Sequence, residues 1–298
     1  MASTSDFLKL HFIVFLWGFS AILGKLVTIA ALEMVWYRSI FAALGMGAVI
    51  YFSRGTFKVT RGDLLRLLAI GGIVSLHWIA FFGSARVSNV SVSLVGFATN
   101  SLWAALLEPW FNRTRIKKYE LLLGFVVMTG LYIIFSFDFE YKIGLLLGIF
   151  AGFTSALFSV FNSRMVRRNS ARTITFYEMI GVVGVTGLLL PFAGLAGVDL
   201  KLPLLPSGMD LLYIAILAGV CSVYAYTVAV ELMKRISVFM IQLTLNLEPV
   251  YGIIMAVIIF GQQEKMNFNF YIGTLVILSA VITYPLVKKR FDRTVLID

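Results

Sequence analysis

The chain has 298 residues, of which 60% belong to the set AVILMFWYC and 13% are charged, and its mean hydropathy is +0.93. Soluble domains are about 45–50% apolar and about 25% charged, so this composition excludes a soluble protein. The remaining solvent is the lipid bilayer, whose hydrocarbon core of roughly 30 Å is crossed by a helix of about 20 apolar residues. Apolar stretches of this length fall at residues 7–27, 33–52, 64–84, 89–111, 119–137, 143–163, 173–193, 209–230, 236–260 and 268–287. The sequence therefore predicts an all-α polytopic membrane protein with ten transmembrane helices.

The formal net charge of +10 indicates topology rather than nucleic-acid binding. If the N-terminus is cytoplasmic, 19 of the 25 Lys and Arg residues lie on the cytoplasmic side and four on the opposite side, while Lys25 and Arg38 fall inside spans. Short loops rich in Lys and Arg are retained in the cytoplasm. We therefore expect both termini to be cytoplasmic, in what is predicted to be a bacterial cytoplasmic (inner) membrane.

Cysteine and histidine usage predicts neither a disulfide nor a metal site. Cys221 is the only cysteine, so no intrachain disulfide can form. His11 and His77 are the only histidines, and neither is spaced from a second ligand as metal sites require. No cofactor is expected.

Ten spans are also consistent with two copies of a five-helix unit. An offset of 139 aligns Phe19 with Phe158 and Ser20 with Ser159, and beyond the outer loop at 194–208 an offset of 149 aligns Ser88 with Ser237, Phe111 with Phe260 and Gly124 with Gly273. We predict a first repeat at residues 1–138 and a second at 139–298. Because five crossings is an odd number, the second repeat would be inverted in the membrane relative to the first, with a cavity between them.

Three short segments give the chain a family resemblance. FLWGF at residues 15–19, WYR at 36–38 and LEP at 247–249, together with the two five-helix halves, resemble the EamA-type members of the drug/metabolite transporter superfamily. The resemblance covers nearly the whole chain. It implies a ten-helix carrier with a central cavity, often one that exports amino acids or related metabolites.

Glu248 is the most informative polar residue, because it lies near the middle of span nine, where a charge costs at least ~2.5–3.5 kcal/mol. It is expected to bind a substrate amine or a coupling proton, or to be a structural carboxyl paired with a neighbouring helix. Pro249 would leave the carbonyl of Leu245 free and kink the helix, as a hinge or as a packing feature. A continuous helix would place Gln242 and Asn246 on one stripe and Glu248 nearly opposite, with both stripes facing the bundle interior or a cavity.

Lys25 and Arg38 are predicted to face each other across a short outer turn. Both cationic groups would then reach one site and bind a carboxylate or phosphate; the alternative is snorkelling to the outer headgroups. The equivalent residues in the second repeat are Arg164 and Glu178. The two pairs would place polar gating residues at opposite ends of the cavity. Glu178 is thus a gating candidate.

Aromatic and small polar residues are candidates for the cavity wall. Aromatic faces with a few hydrogen-bonding groups suit amphipathic solutes and hold an ammonium through cation–π contact. For each residue alone, helix packing or an interfacial aromatic belt is the alternative. The candidates are Trp17, Ser20, His77, Trp78, Phe81, Asn100, Trp103, Tyr224 and Tyr226.

Two further features are predicted to be structural. Gly144, Gly148 and Gly152 recur every four residues and would form a smooth ridge for close helix contact. Glu108 precedes Arg113 near the end of span four and is expected to form an interfacial salt bridge and a helix stop.

The sequence thus predicts a secondary transporter that exports amino acids or similar small metabolites by alternating access. Its partners would be a small-molecule substrate, the lipid bilayer and, if transport is coupled, a proton; monomer and homo-oligomer both remain open. An organic-anion or sugar-nucleotide exchanger is the alternative if Lys25 and Arg38 both line the cavity. An intramembrane enzyme is an alternative of another class, although the sequence contains no HExxH or GxSxG motif or phosphate-binding glycine loop.

Overall fold

The computed structural model describes residues 2–135, 141–200, 205–206, 208–261 and 267–294, and within these ranges it contains helices and no strand. The predicted all-α fold is confirmed. The helices are α1 Thr4–Leu26, α2 Ala31–Phe52, α3 Arg61–Val87, α4 Val90–Phe97, α5 Asn100–Asn112, α6 Lys118–Phe135, α7 Lys142–Met165, α8 Ala171–Leu189, α9 Gly208–Ile216, α10 Thr227–Leu232, α11 Val238–Leu245, α12 Glu248–Phe260 and α13 Phe268–Thr294. A 3₁₀ segment, Leu190–Ala196, follows α8, and a π-helical segment, Leu217–Tyr226, joins α9 to α10.

Several helices have a polar capping residue immediately before their first residue. In each case the side-chain oxygen of the capping residue accepts a hydrogen bond from the backbone N–H three residues later, which satisfies one of the free donors of the first turn. The capping residues are Ser3, Thr60, Asn89, Ser170 and Ser237. These local signals fix where the membrane-crossing helices begin.

Eight helical stretches in the described part of the chain are long and apolar enough to cross a bilayer. The other two predicted spans correspond to α6 and to the apolar part of α13, which pack against each other. The count of ten therefore stays a prediction. The expected repeat boundary between residues 138 and 139 lies outside the described residues.

Spans four and nine are each broken into two helices. The first is interrupted between Phe97 and Asn100 and the second between Leu245 and Glu248. The corresponding boundaries of α4 and α11, and of α5 and α12, all differ by 148 positions, one fewer than the offset expected from sequence identities. At this offset Asn100 of the first half is the equivalent of Glu248 in the second half.

The break changes the expected role of Pro249. Glu248 and Pro249 open α12, and a proline in the first turn of a helix removes an N–H that has no helical partner in any case. Pro249 therefore begins a helix instead of kinking one. Tight turns, with Asn246 N–H donating to Leu243 O at 3.1 Å and Leu247 N–H donating to Thr244 O at 3.0 Å, bridge the gap.

The glycine ridge of α7 packs against the break in span four, so the predicted close contact is confirmed. A Cβ atom added to Gly148 would lie 3.1 Å from the Cα atom of Gly96. One added to Gly152 would lie 2.6 Å from Thr99 Oγ1 and 2.9 Å from the Phe97 carbonyl oxygen. Only glycine allows α7 to approach the interrupted backbone this closely.

Glu108 caps a helix, and the expected salt bridge is wrong. Its Oε1 and Oε2 atoms accept hydrogen bonds from the backbone N–H groups of Val238 at 3.2 Å and Phe239 at 2.8 Å. These are free donors in the first turn of α11, and a carboxylate there also complements the helix dipole. The carboxylate therefore joins the end of α5 to the start of α11.

The start of α1 and the second half of α13 lie near the same end of the bundle. Arg235, which precedes α11, binds Asp6 of α1 with an Nη2 to Oδ1 distance of 2.9 Å. The Phe239 ring at the start of α11 lies 4.9 Å from the ring of Tyr284, in the second half of α13. The beginning of α1 and the later part of α13 thus flank the same helix terminus.

We expect Gly152→Ala to lower the thermal unfolding temperature of the detergent-solubilised protein by several degrees. The added methyl group overlaps backbone and hydroxyl atoms at the break, and overpacking of this kind costs about 1–3 kcal/mol. Gly184→Ala is the control, because no atom lies within 4 Å of the added Cβ and alanine favours helix. An equal loss of stability in both variants would contradict the close packing at Gly152.

Candidate functional site

A buried cavity lies at the centre of the bundle, next to the break in span nine. Nine of the predicted residues line it, and they come from α1, α2, α3, the π-helical segment, α11 and α12. They are Trp17, Ser20, Arg38, His77, Trp78, Phe81, Tyr226, Gln242 and Glu248. The cavity volume is about 60 Å³, and since one water needs about 10–15 Å³ on this measure, the space holds only a few waters.

Glu248 brings a carboxyl group to the cavity wall. It is the first residue of α12 and is 3% exposed. Its carboxyl group makes no hydrogen bond or ion pair with any residue that the structure describes. The positive end of the α12 dipole lies beside it and favours a negative charge there.

Arg38 brings a guanidinium group to the same cavity and is 2% exposed. Its Nε donates a hydrogen bond to Ser222 Oγ at 2.9 Å, and its Cζ lies 4.0 Å from the centroid of the Trp78 ring. The hydrogen bond and the cation–π contact hold the group in place. No carboxylate within the described ranges forms a salt bridge with it, so the terminal nitrogens of Arg38 are available to a ligand.

Ser222 is a site residue that the sequence analysis missed. Its hydroxyl accepts from Arg38 and donates to the carbonyl of Leu217, five residues earlier, at 3.1 Å. Both residues lie in the π-helical segment, whose backbone hydrogen bonds join residues five apart and which is a form often found at functional sites. Hydropathy does not indicate where a π-helix forms. Without that information, nothing distinguishes Ser222 from other serines in apolar stretches.

Gln242 joins α11 to α7 across the cavity wall. Its Nε2 donates to Ser159 Oγ at 2.7 Å and to the Ser155 carbonyl at 3.2 Å. Gln242 and Glu248 line the same cavity, so their expected placement on nearly opposite stripes is wrong. The stripe argument assumed a regular α-helix. Asn246 and Leu247 instead form tight turns between α11 and α12, which change the angle between the Gln242 and Glu248 side chains about the helix axis.

His77 is held in an aromatic setting on the cavity wall. Its Nδ1 lies 2.8 Å from the carbonyl oxygen of Ala151 and donates to it. The rings of Phe81, Phe97 and Phe158 lie 6.1, 5.6 and 5.4 Å from the imidazole. With Nδ1 occupied, Nε2 is the ring nitrogen that remains for a ligand.

Glu178 lies buried behind the cavity wall and is bound to Tyr226. Tyr226 Oη donates to Glu178 Oε2 at 2.7 Å, and Asn162 Nδ2 donates to the same carboxylate oxygen at 3.3 Å and to Tyr226 Oη at 3.0 Å. Glu178 is 0% exposed, whereas Arg164 is exposed and makes no ion pair with it. Glu178 therefore links α7, α8 and the π-helical segment through hydrogen bonds. It does not form the gating pair with Arg164 that the sequence suggested.

Lys25 and Arg38 do not share a site. Lys25 Nζ donates to the backbone carbonyl of Ala85 at 3.0 Å, near the end of α3, and Lys25 is not among the residues that line the cavity. The lysine therefore joins the end of α1 to the end of α3. The cavity has Arg38 as its cationic side chain.

Four other candidates also lie away from the cavity lining. Asn246 Nδ2 donates to Ser101 Oγ at 2.8 Å, which ties α5 to the break in span nine. Asn100 is fully buried and Trp103 packs on a neighbouring aromatic ring, whereas Tyr224 is 45% exposed on the outer face of the bundle. The side chain of Pro249 lies outside the described residues.

These features define a polytopic helical membrane protein with a buried, charged cavity. The chain belongs to the EamA-like transporter family, which matches residues 8–136 and, separately, residues 142–284. EamA is a member of the drug/metabolite transporter superfamily, so the family resemblance is confirmed. Family membership and the eight apolar helices establish an integral membrane transporter.

Two individual proteins illustrate the similarity. An uncharacterized transporter of Archaeoglobus fulgidus is 25% identical over 260 residues, which cover 84% of this chain and 86% of the relative. A solved crystal structure matches with a TM-score of 0.71 at 16% identity, over 97% of this chain and 99% of that one. At that identity the solved structure supports the fold alone.

We expect Tyr226→Phe to destabilise the protein by about 1–3 kcal/mol, because it removes two hydrogen bonds, one to Glu178 and one from Asn162, from a buried network. Thermal unfolding in detergent measures the change. Tyr224→Phe is a matched control two residues away, since Tyr224 is 45% exposed and should tolerate loss of its hydroxyl. If both substitutions shift the unfolding temperature equally, the buried network contributes nothing specific.

Proposed function

We propose that this transporter exports small zwitterions, amino acids or similar metabolites, by alternating access. The observation that carries the proposal is the presence of Arg38 and Glu248, opposite in charge, in one buried cavity without a salt bridge between them. In this arrangement the substrate carboxylate binds Arg38 and the substrate ammonium binds Glu248.

The energetic argument is that a buried charge without a partner costs several kcal/mol. Two opposite charges that share a cavity would relieve this cost by pairing with each other. Arg38 is instead held by Ser222 and stacked on Trp78, while Glu248 is fixed at the start of α12. A zwitterion supplies both missing partners at once, with charge-assisted hydrogen bonds at each end.

The aromatic wall suits the same class of substrate. Trp17 and Trp78 line the cavity, and the Trp17 Nε1 atom is occupied by a hydrogen bond to the Cys221 carbonyl at 3.1 Å. The indole of Trp17 is therefore oriented by the protein, which leaves its ring surface to contact an apolar group or an ammonium. The small cavity volume favours small substrates and requires the wall to move as they enter.

Alternating access is supported by the relation between the two halves. The family matches once in each half, and the helices of the two broken spans correspond at a single offset. Equivalent helices of the two halves also make equivalent contacts. α1 packs on α12 as α7 packs on α5, and α3 packs on α8 as the π-helical segment packs on α2. These features support inverted repeats at residues 1–138 and 139–298 that rock around the cavity.

The proposed orientation rests on charge. With both termini in the cytoplasm, 19 of the 25 Lys and Arg residues are cytoplasmic, as expected for the loops of a membrane protein that face the cytoplasm. The bacterial inner membrane remains the predicted location. The start of α1 and the second half of α13 lie near the same terminus of α11, which supports an even number of crossings. Export is then transport from the side that carries Asp6 and Arg235.

The two alternative functions have less support. Organic-anion exchange was favoured if Lys25 and Arg38 both lined the cavity, but Lys25 binds the Ala85 carbonyl and the cavity instead contains a carboxyl group. The family and the archaeal relative point to a transporter rather than to an enzyme.

A panel of labelled solutes in proteoliposomes tests the proposal, with and without a pH gradient. We expect saturable counterflow of one or more neutral amino acids and little flux of dicarboxylates or phosphate esters. Stimulation by a pH gradient that is lost in Glu248→Gln would assign the coupling proton to Glu248, and the absence of stimulation would indicate facilitated transport. Preferential transport of anions would contradict the zwitterion proposal.

We expect Glu248→Gln to reduce amino-acid counterflow at least about tenfold, because the neutral amide loses the charged partner of the substrate ammonium. Initial rates and apparent KM are measured in proteoliposomes with matched protein content. Glu231→Gln is the control, since Glu231 is 41% exposed and pairs with Lys234. Unchanged transport in Glu248→Gln would exclude Glu248 as the ammonium site.

Arg38→Gln is expected to raise the apparent KM for amino acids strongly, and to affect the corresponding amines, which lack the carboxylate, far less. This difference distinguishes a carboxylate site from a structural role, which would impair all substrates equally. Arg115→Gln, in the exposed loop between α5 and α6, controls for loss of one positive charge.

A further inference from the structure

A groove on the outside of the bundle, remote from the cavity, combines positive charge with an apolar wall. It runs between the first turns of α3 and the last turns of α7. We name it the arginine groove, and its principal lining residues are Arg66, Ile70, Ile73, Phe161, Arg164 and Arg168. We propose that the arginine groove binds an anionic phospholipid, with its phosphate at the arginines and an acyl chain along the apolar wall.

The charged end of the groove lacks protein counter-charges. Arg164 and Arg168 are exposed, and neither side chain makes a hydrogen bond or ion pair with another residue in the described part of the chain. Arg66 forms a salt bridge with Asp63 at 3.1 Å, which neutralises its charge. The charges of Arg164 and Arg168 remain, so this end of the groove has a net charge of two guanidinium groups. Arginine clusters near the ends of membrane-crossing helices bind anionic headgroups, because a guanidinium group forms paired hydrogen bonds with phosphate.

The apolar end continues along the helices away from the arginines. Ile70 and Ile73 lie one and two turns beyond Arg66 on α3, and at 1.5 Å per residue this wall extends about 10 Å. Phe161 lies one turn before Arg164 on α7 and completes the opposite wall. A free phosphate ion would contact only the arginines, whereas an acyl chain also covers the wall, so the combination favours a lipid.

The two helices that form the groove are held in fixed register. Asn169, just after α7, donates from Nδ2 to Asp63 Oδ2 at 3.4 Å, while Asp63 also binds Arg66. The helices pack along their length. The backbone positions that carry the arginines are therefore set by the protein before a lipid arrives.

A second groove at the same end of the bundle differs in charge. It contains Arg54 and Arg172 but also Glu231, and Arg172 Nη1 donates to Ser53 Oγ at 2.8 Å. No carboxylate lines the arginine groove. The unneutralised charge is therefore a property of this groove and not of every basic site at this end.

Native mass spectrometry of the purified full chain in detergent tests the proposal, with phosphatidylglycerol as the probe and phosphatidylcholine and inorganic phosphate as comparisons. We expect the double variant Arg164→Gln/Arg168→Gln to weaken phosphatidylglycerol binding about 10- to 30-fold. The matched control is Arg61→Gln/Arg167→Gln, which removes the same charge from the same end of the same helices but not from the groove lining. Its phosphatidylglycerol affinity should change less than threefold.

A third variant tests the apolar wall without changing charge. Ala69 lines the groove and is exposed, so Ala69→Trp should fill the groove while the protein remains folded, and should weaken phosphatidylglycerol binding. Equal losses in the two double variants would overturn the site in favour of nonspecific charge attraction. Equal binding of phosphatidylcholine, or full competition by inorganic phosphate, would overturn the assignment to an anionic lipid.

Discussion

The structure depends on one constraint of the bilayer: a backbone N–H or carbonyl group in hydrocarbon must find its partner within the protein, because leaving it unsatisfied costs several kcal/mol. A helix can therefore be interrupted at membrane depth only where other helices surround the gap. Both interruptions meet this condition. The glycine ridge of α7 covers the break in span four, and the two broken spans pack crosswise, α4 on α12 and α5 on α11.

The break in span nine determines the chemistry of the cavity. A continuous helix would hold Gln242 and Glu248 on different faces, whereas the two half-helices direct both residues into one space. Glu248 then lies at the positive end of α12, and Arg38 faces the same space from α2. Two opposite charges are thus held by separate elements of one cavity, which is the arrangement that the proposed zwitterionic substrate requires.

Several features could be predicted from sequence because they depend on local pattern. Apolar run length located the membrane-crossing helices, the spacing of Gly144, Gly148 and Gly152 predicted the ridge, and embedded charge identified Arg38 and Glu248. The breaks could not be predicted, because hydropathy averaged over a span does not change when two residues leave the helix. The π-helical turn that orients Ser222 and the binding of Lys25 to the Ala85 carbonyl are not encoded in residue type and spacing. Ser222 was therefore missed, and Lys25 was wrongly expected to share a site with Arg38.

The capping contact of Glu108 has a mechanical consequence. Its two carboxylate oxygens are bonded to the first turn of α11, and α11 carries Gln242 at the cavity. The end of α5 and the start of α11 are therefore fixed to each other. If the two halves rock as proposed, these two hydrogen bonds would couple a tilt of one half to the position of the other. A single side chain at the edge of the membrane in this way ties the geometry of the interior to the relative position of the halves.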